Sequence, residues 1–176
     1  MKRARVLSIC GSLRQGSVNA AVLDTAADLD VAGITVHRYD GMAALPHFNP
    51  DDDRDPLHVA VAELRAAIAA ADALLFCTPE YAGALPGSFK NLLDWTVGGV
   101  ETSDRRAGWI NAGGPDRAIA AHASLASVLR YTGARLVDEA CVSLAVPRDK
   151  VGPSGRVEDP DLRARIAGVL RALVEG

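Results

Sequence analysis

Five short apolar runs, interleaved with stretches whose apolar residues recur at helical spacing, constrain this 176-residue chain more than any other feature of it. The runs span residues 4–10, 34–39, 72–77, 106–112 and 134–146. The first and third are apolar almost throughout, as expected of a parallel strand buried on both faces. The first helical pattern carries Val18, Ala21, Val22, Thr25 and Leu29, with Ser17 placed to cap it. Leu57, Val61, Leu64, Ile68 and Ala71 mark the second. Phe89, Leu92, Leu93 and Thr96 mark the third, with Pro86 in its first turn and Gly98-Gly99 beyond its end. In the fourth, Asp116 is the expected cap and Ile119, Ala123, Ala126 and Leu129 the expected inward face. The last carries Leu162, Ile166, Val169, Leu170 and Leu173. Such alternation predicts an α/β fold: a parallel five-stranded sheet with helices on both faces, joined by right-handed crossovers. The fifth strand is expected to be irregular near Asp138-Glu139. No repeat or linker divides the chain, so one domain over residues 1–176 is expected.

In a sheet of this kind ligands bind beyond the carboxyl ends of the strands, near the point where the strand order reverses. The three loops richest in glycine and polar residues follow the first, third and fourth strands, at 11–17, 78–87 and 112–116. They therefore converge. The first, Gly11-Ser12-Leu13-Arg14-Gln15-Gly16-Ser17-Val18-Asn19, combines a strand end, hydroxyls, one arginine and a helix start. Together these form a cradle for phosphate.

Three phosphate chemistries fail on its residues. A Walker A loop needs Lys-Ser/Thr where Ser17-Val18 stand, so the lysine that reaches the terminal phosphates is missing. The dinucleotide fingerprint GxGxxG fails at Leu13. A low-molecular-weight phosphatase needs an arginine six residues after its cysteine; Cys10 is placed well, but position 16 is Gly and Arg14 has the wrong offset, which counts against that chemistry. What remains suits a single phosphate monoester held by Ser12, Arg14, Ser17 and Asn19, with backbone N–H groups at the helix start. The second loop, with glycine beside Tyr81, offers a surface for a flat ring.

Charge and composition exclude other classes. Hydrophobic residues make up 49% and charged residues 23%, which excludes disorder of the whole chain. A net charge of −3 argues against nucleic acid as partner. Asp51, Asp53 and Asp55 alternate as in a calcium loop, but Pro56 and Ala62 replace the required Gly and Glu, so a solvated acidic segment within the loop at 41–55 is expected. His37, His47, His58 and His122 lack metal-ligand spacing and read as surface or loop residues; no metal is expected. Cys10, Cys77 and Cys141 lie inside apolar runs with no CxxC pair, as buried reduced thiols. Only five mostly apolar residues separate Arg5 from Gly11, too few for a signal-peptide core, and no apolar run approaches membrane length. A cytoplasmic protein with no membrane partner is expected.

The paired motifs carry a resemblance. Gly11-Ser12-Leu13-Arg14 with Ser17 and Asn19, then about sixty residues later Thr78-Pro79-Glu80-Tyr81 and Leu85-Pro86-Gly87-Ser88-Phe89-Lys90-Asn91-Leu92-Leu93-Asp94-Trp95, resemble the NADPH-dependent FMN reductase family of flavodoxin-like proteins. The resemblance implies a three-layer flavodoxin-like fold with strand order 2-1-3-4-5 and a non-covalent FMN. It also implies that Ser12, Arg14, Ser17 and Asn19 bind the FMN phosphate, with Val18 among the cofactor-binding residues. Pro79, Glu80, Tyr81, Ala82 and Gly83 would flank the isoalloxazine ring, and Gly113-Gly114 would complete the pocket. The implied activity is hydride transfer from NADPH or NADH to FMN, then reduction of a small acceptor such as free flavin or a quinone. The flavin carries that chemistry, so no catalytic side chain is required, with Glu80 and Tyr81 as candidate accessories. Lys90, Asn91, Asp94 and Trp95 are read as structural or as subunit contacts in a homodimer or homotetramer. Ala82 and Ala84 depart from the family's usual Asn and Ser. No cluster marks a site for a 2′-phosphate; Arg105, Arg106 and Arg117 are the arginines expected at the pocket rim. Two alternatives stand beside this reading: a non-enzymatic FMN electron carrier or redox sensor, and a phosphoester enzyme using Cys10.

Overall fold

A computed structural model describes residues 3–175. Strands β1 (Ala4–Cys10), β2 (Ile34–Tyr39), β3 (Ala73–Cys77), β4 (Arg106–Asn111) and β5 (Arg135–Ser143) form one parallel sheet in the order β2-β1-β3-β4-β5. Helices α1 (Val18–Asp28), α2 (Val59–Ala70), α3 (Gly87–Asp94), α4 (Ile119–Tyr131) and α5 (Pro160–Glu175) cover it. The period-2 alternation of a strand sends neighbouring side chains to opposite layers. Val6, Cys10, Leu75 and Cys77 therefore pack with α1 and α5, while Leu7, Ile9, Leu74 and Phe76 pack with α2, α3 and α4. Every residue of β3 is buried, because it lies between two strands and two helical layers. The layered parallel sheet is the one expected from the alternation, and the strand order is the one implied by the family resemblance.

β5 is irregular where expected. Its register against β4 jumps from Leu136 to Cys141 while β4 advances only from Ala107 to Trp109. Gly108 makes room for this bulge, since a Cβ there would lie 2.7 Å from the Ala140 carbonyl oxygen.

The start of α4 differs from expectation. Its N-cap is Ala118, with φ 56°, and not Asp116. Asn111 is the reason. Its Nδ2 donates to the carbonyls of Gly114 (2.8 Å) and Arg117 (2.7 Å), and its Oδ1 accepts from Gly113 N–H (3.0 Å). The chain is wound around this one amide and cannot turn helical until residue 119. The buried face is consequently Ala121, His122, Leu125, Ala126 and Leu129; Ile119 and Ala123, expected inward, lie on the exposed side.

The long loop after β2 is fastened to α3. Asn91 Nδ2 and Trp95 Nε1 both donate to the Pro46 carbonyl, at 2.8 and 2.9 Å. Asn91 Oδ1 accepts from Phe48 N–H (2.8 Å), and the Phe48 and Trp95 rings meet edge to face. Lys90 pairs with Asp94 one turn along. The side chains expected to be structural or subunit contacts thus hold this loop or pair along the helix.

Candidate functional site

The carboxyl ends of β1, β3 and β4 open into a cleft of about 780 Å³, within the range of small-molecule sites. Among the residues expected to bind cofactor, Val18, Asn19, Pro79, Glu80 and Gly113 line it. Thr78, Asn111, Asp116, Arg117, Ile119 and Val146 complete much of the rest.

Val18 and Asn19 bring the start of α1 to the cleft; Ser12, Arg14 and Ser17, in the loop just before them, are not among its lining residues. Gly16, at φ 63°, turns the chain back so that Ser17 caps α1. The Ser17 hydroxyl makes no hydrogen bond to the helix it caps, although the side chain is buried. The buried Ser12 hydroxyl accepts from Arg14 N–H at 3.3 Å and folds the loop over itself. Arg14 lies exposed on the loop. The unused hydroxyl at a helix N-terminus, with an exposed arginine three residues earlier, fits a phosphate group on donor chemistry alone.

The second loop divides its residues. Pro79 and Glu80 face the cleft, and Glu80 Oε2 accepts from Ala121 N–H at 2.9 Å. That carboxylate caps α4 from another segment, the duty expected of Asp116. Tyr81 and Ala84 exchange backbone hydrogen bonds of 3.0 Å in each direction, closing a two-residue turn at Ala82 (φ 50°) and Gly83 (φ 71°). Tyr81, Ala82 and Gly83 are exposed on this turn outside the cleft lining; Tyr81 retains 52% of its surface. An Asn-Gly pair is favoured where both residues have positive φ, so Ala82 stands where an L side chain other than Asn is strained. Ala82→Gly should raise stability by about 0.5–1 kcal/mol, and the melting temperature by about 2–4 °C. Thermal denaturation followed by circular dichroism checks this; a lower melting temperature would contradict it.

In the third loop Gly113 lines the cleft, while Gly114 (φ 90°) is buried behind it against Ala145. Arg117 reaches the rim as expected, but Arg105 and Arg106 do not. They sit at the amino end of β4, across the sheet from the cleft, where they donate to carbonyls of Ala69, Glu101, Ala172 and Leu173.

His122 is also not a surface residue. It is buried against Trp109, with Nδ1 2.7 Å from the Ala118 carbonyl oxygen, and burial lowers its pKa. The neutral ring donating from Nδ1 satisfies that contact. Burial likewise pushes the Cys10 thiol up. A phosphatase nucleophile needs a thiolate, so this environment opposes the phosphoester alternative. Among the described residues, no group of three or more His, Cys, Asp or Glu could hold a metal ion.

Two residues at the site escaped the sequence reading. Asn111 announces itself weakly, as an Asx residue before Gly-Gly-Pro. Arg148 gives no local signal: it arrives from beyond β5, and its Nη1 donates to the Gly16 carbonyl at 3.3 Å.

The sequence profile of the family described as NADPH-dependent FMN reductase matches residues 4–147. The chain belongs to this family. An NAD(P)H-dependent FMN reductase of Pseudomonas aeruginosa is 43% identical over 91 residues, 52% of this chain and 49% of that protein. An NAD(P)H:quinone oxidoreductase of Solanum tuberosum is 33% identical over 115 residues, 62% of this chain and 59% of that protein. The chain thus matches about half to three fifths of the length of these two relatives. Over the whole fold it is similar to a flavoenzyme NAD(P)H:(acceptor) oxidoreductase of Paracoccus denitrificans, with TM-score 0.77 and 26% identity, covering 98% of this chain and 96% of that one. A WrbA-like flavodoxin of Agrobacterium tumefaciens shares the fold at TM-score 0.59 and 17% identity. Every residue lining the cleft of this FMN reductase family member, from Val18 to Val146, lies within the matched residues.

Proposed function

We propose that the protein is an FMN-containing, NAD(P)H-dependent oxidoreductase that reduces a small acceptor, a quinone or free flavin. One observation carries the reading: in a member of this family, the first turn of α1 and the loops after β3 and β4 line one cleft, next to the uncommitted Ser17 hydroxyl at the helix N-terminus. Ser12, Arg14, Ser17, Asn19 and the first N–H groups of α1 would hold the FMN phosphate. Pro79, Glu80 and Gly113 would face the rest of the cofactor, with Tyr81, Ala82 and Gly83 at its outer edge. FMN held there would supply the hydride- and electron-transfer chemistry between a nicotinamide and the acceptor. The protein's work is binding and orientation. Glu80 holds the α4 terminus against the cleft, and Asn111 holds the 112–118 loop in shape. The quinone assignment draws on the potato relative's activity.

One sheet with two packed layers supports reading the chain as a single FMN-binding domain. A homo-oligomer, dimer or tetramer, is proposed on the family resemblance alone. No helix among the described residues is long and apolar enough to cross a membrane, in keeping with the proposed cytoplasmic location.

The decisive experiment is an anaerobic titration of the purified protein with NADPH. Yellow protein whose visible absorption bleaches is the expected result. FMN uptake without bleaching by NADPH or NADH would favour the electron carrier, and protein that takes up no FMN would remove the cofactor altogether. Arg14→Ala should weaken FMN binding by about 1.5–3 kcal/mol, the scale of a hydrogen bond to a charged group. Unchanged affinity by fluorescence quenching would show that Arg14 does not hold the phosphate.

A further inference from the structure

Two thiols lie directly beneath the phosphate loop with no part in the reading above. Cys10 ends β1 and Cys77 ends β3, and the two are register partners on adjacent parallel strands. Both side chains therefore point to the α1 face, and both are buried. Each reaches upward into the loop. Cys10 Sγ donates to the Ser12 carbonyl at 3.6 Å, and Cys77 Sγ donates to Asn19 Oδ1 at 3.2 Å. Burial keeps both thiols protonated, Cys77 most strongly, with neighbouring Cys10 adding to the effect and a backbone hydrogen bond at Ala112 opposing it. Each is thus an uncharged donor at any ordinary pH.

The consequence falls on Asn19. A side-chain amide carries an acceptor oxygen on one side and two N–H donors on the other, and only its neighbours decide which way it faces. Asn19 lines the cleft on the phosphate-loop side. With Oδ1 taken by the Cys77 thiol, the acceptor is turned away and the NH₂ group is left free. The reverse orientation would set a carbonyl oxygen against an anion. We propose that Cys77 is a positioning residue that fixes the Asn19 amide with its NH₂ group presented to the phosphate of the bound flavin. This rests on the FMN reading given above.

The test compares two ligands that differ only in the phosphate. Cys77→Val removes the donor at similar volume, with Cys77→Ala as the substitute should the valine variant not fold. Either should weaken FMN binding about three- to tenfold, the scale of one neutral hydrogen bond, and leave riboflavin binding unchanged. Cys77→Ser keeps a donor and should stay within about twofold of wild type for FMN. In an Asn19→Ala background Cys77→Val should add nothing further, as a double-mutant cycle requires of groups acting through one another. In the flavin-free protein, the Asn19 side-chain amide resonances should shift in Cys77→Val and not in Cys77→Ser. Equal weakening of FMN and riboflavin would reduce Cys77 to packing and overturn the proposal, as would a serine variant as weak as the valine one. Wild-type protein that binds neither flavin would remove the cofactor reading and this proposal with it. Wild-type binding with an unaffected Cys77→Val variant would overturn the proposal alone.

Discussion

Gly11→Ala is expected to destabilise the protein by about 3 kcal/mol or more and to weaken FMN binding at least tenfold. A Cβ at position 11 would lie 2.2 Å from Thr78 Oγ1, 2.6 Å from Thr78 Cβ and 2.9 Å from Phe89 Cδ1. None of these atoms can retreat cheaply. Thr78 and Phe89 are buried, and the Gly11 N–H is bound to the Cys77 carbonyl at 2.9 Å, which ties the two strand ends together. The clash must push loop 11–17 away from loop 78–87, and with it Val18 and Asn19 away from Thr78, Pro79 and Glu80, which line the same cleft. Stability and cofactor affinity should therefore fall together. The melting temperature should drop by about 6–12 °C. Gly16→Ala provides the contrast. No atom lies within 4 Å of a Cβ there, and only the φ of 63° resists the substitution. About 1–2 kcal/mol is expected from that conformation alone. Thermal melts and FMN titrations of both variants separate the two causes. A Gly11→Ala protein no less stable than Gly16→Ala would show that the loops can part without loss.

The difference between these glycines was invisible in the sequence, where both are simply the glycines of a polar turn. What could be read was whatever depends on local pattern. The alternation of runs gave the sheet and its layers, and the loop compositions pointed to the correct edge, because strand direction in a parallel sheet sends those three loops to one end. The bulge near Asp138-Glu139 was legible because charge interrupts an apolar strand. The failures share a different cause. Asp116 has the right chemistry for a cap, but Asn111 winds the chain past it and Glu80, 41 residues before the Ala121 N–H it accepts from, takes the role. On α4, Ala126 and Leu129 are buried as expected, while Ile119 and Ala123 are exposed and Ala121, His122 and Leu125 take their place. Arg105 and Arg106 were placed at the rim, although they stand at the start of the fourth run; strand polarity alone puts them at the opposite end. The motif residues Asn91 and Trp95 were recognised, but their partner, the Pro46 carbonyl, lies 45 and 49 residues away in a loop without periodicity. Long-range hydrogen bonds to backbone leave no trace in spacing.

That same loop carries the second large effect. Arg65→Met should destabilise the protein by about 3–5 kcal/mol, lowering the melting temperature by about 10 °C or more. Arg65 comes from the buried face of α2, and its Nη2 donates to both Asp53 oxygens, at 2.7 and 2.9 Å. Its Nε and Nη2 also donate to the Trp95 carbonyl, at 3.0 and 2.9 Å. One guanidinium therefore joins three segments: α2, the loop after β2 and the end of α3. Both charged side chains are only 10% exposed, so the pair is screened little by water. The two partners are not equivalent in what their loss leaves behind. Removing Arg65 strands a carboxylate among groups that cannot solvate it and also leaves the Trp95 carbonyl unpaired. Asp53→Asn in the Arg65→Met background removes the stranded charge and should restore part of the lost stability, so the two substitutions should be strongly non-additive. Gly98 limits the repair, because a Cβ there would lie 1.8 Å from Asp53 Oδ2, and no bulkier side chain fits at 53 without moving that turn. Chemical denaturation of the two single variants and the double variant closes the cycle. Additive losses would show that the ion pair is independent of its surroundings and that the loop is held by the Pro46 and Phe48 contacts alone.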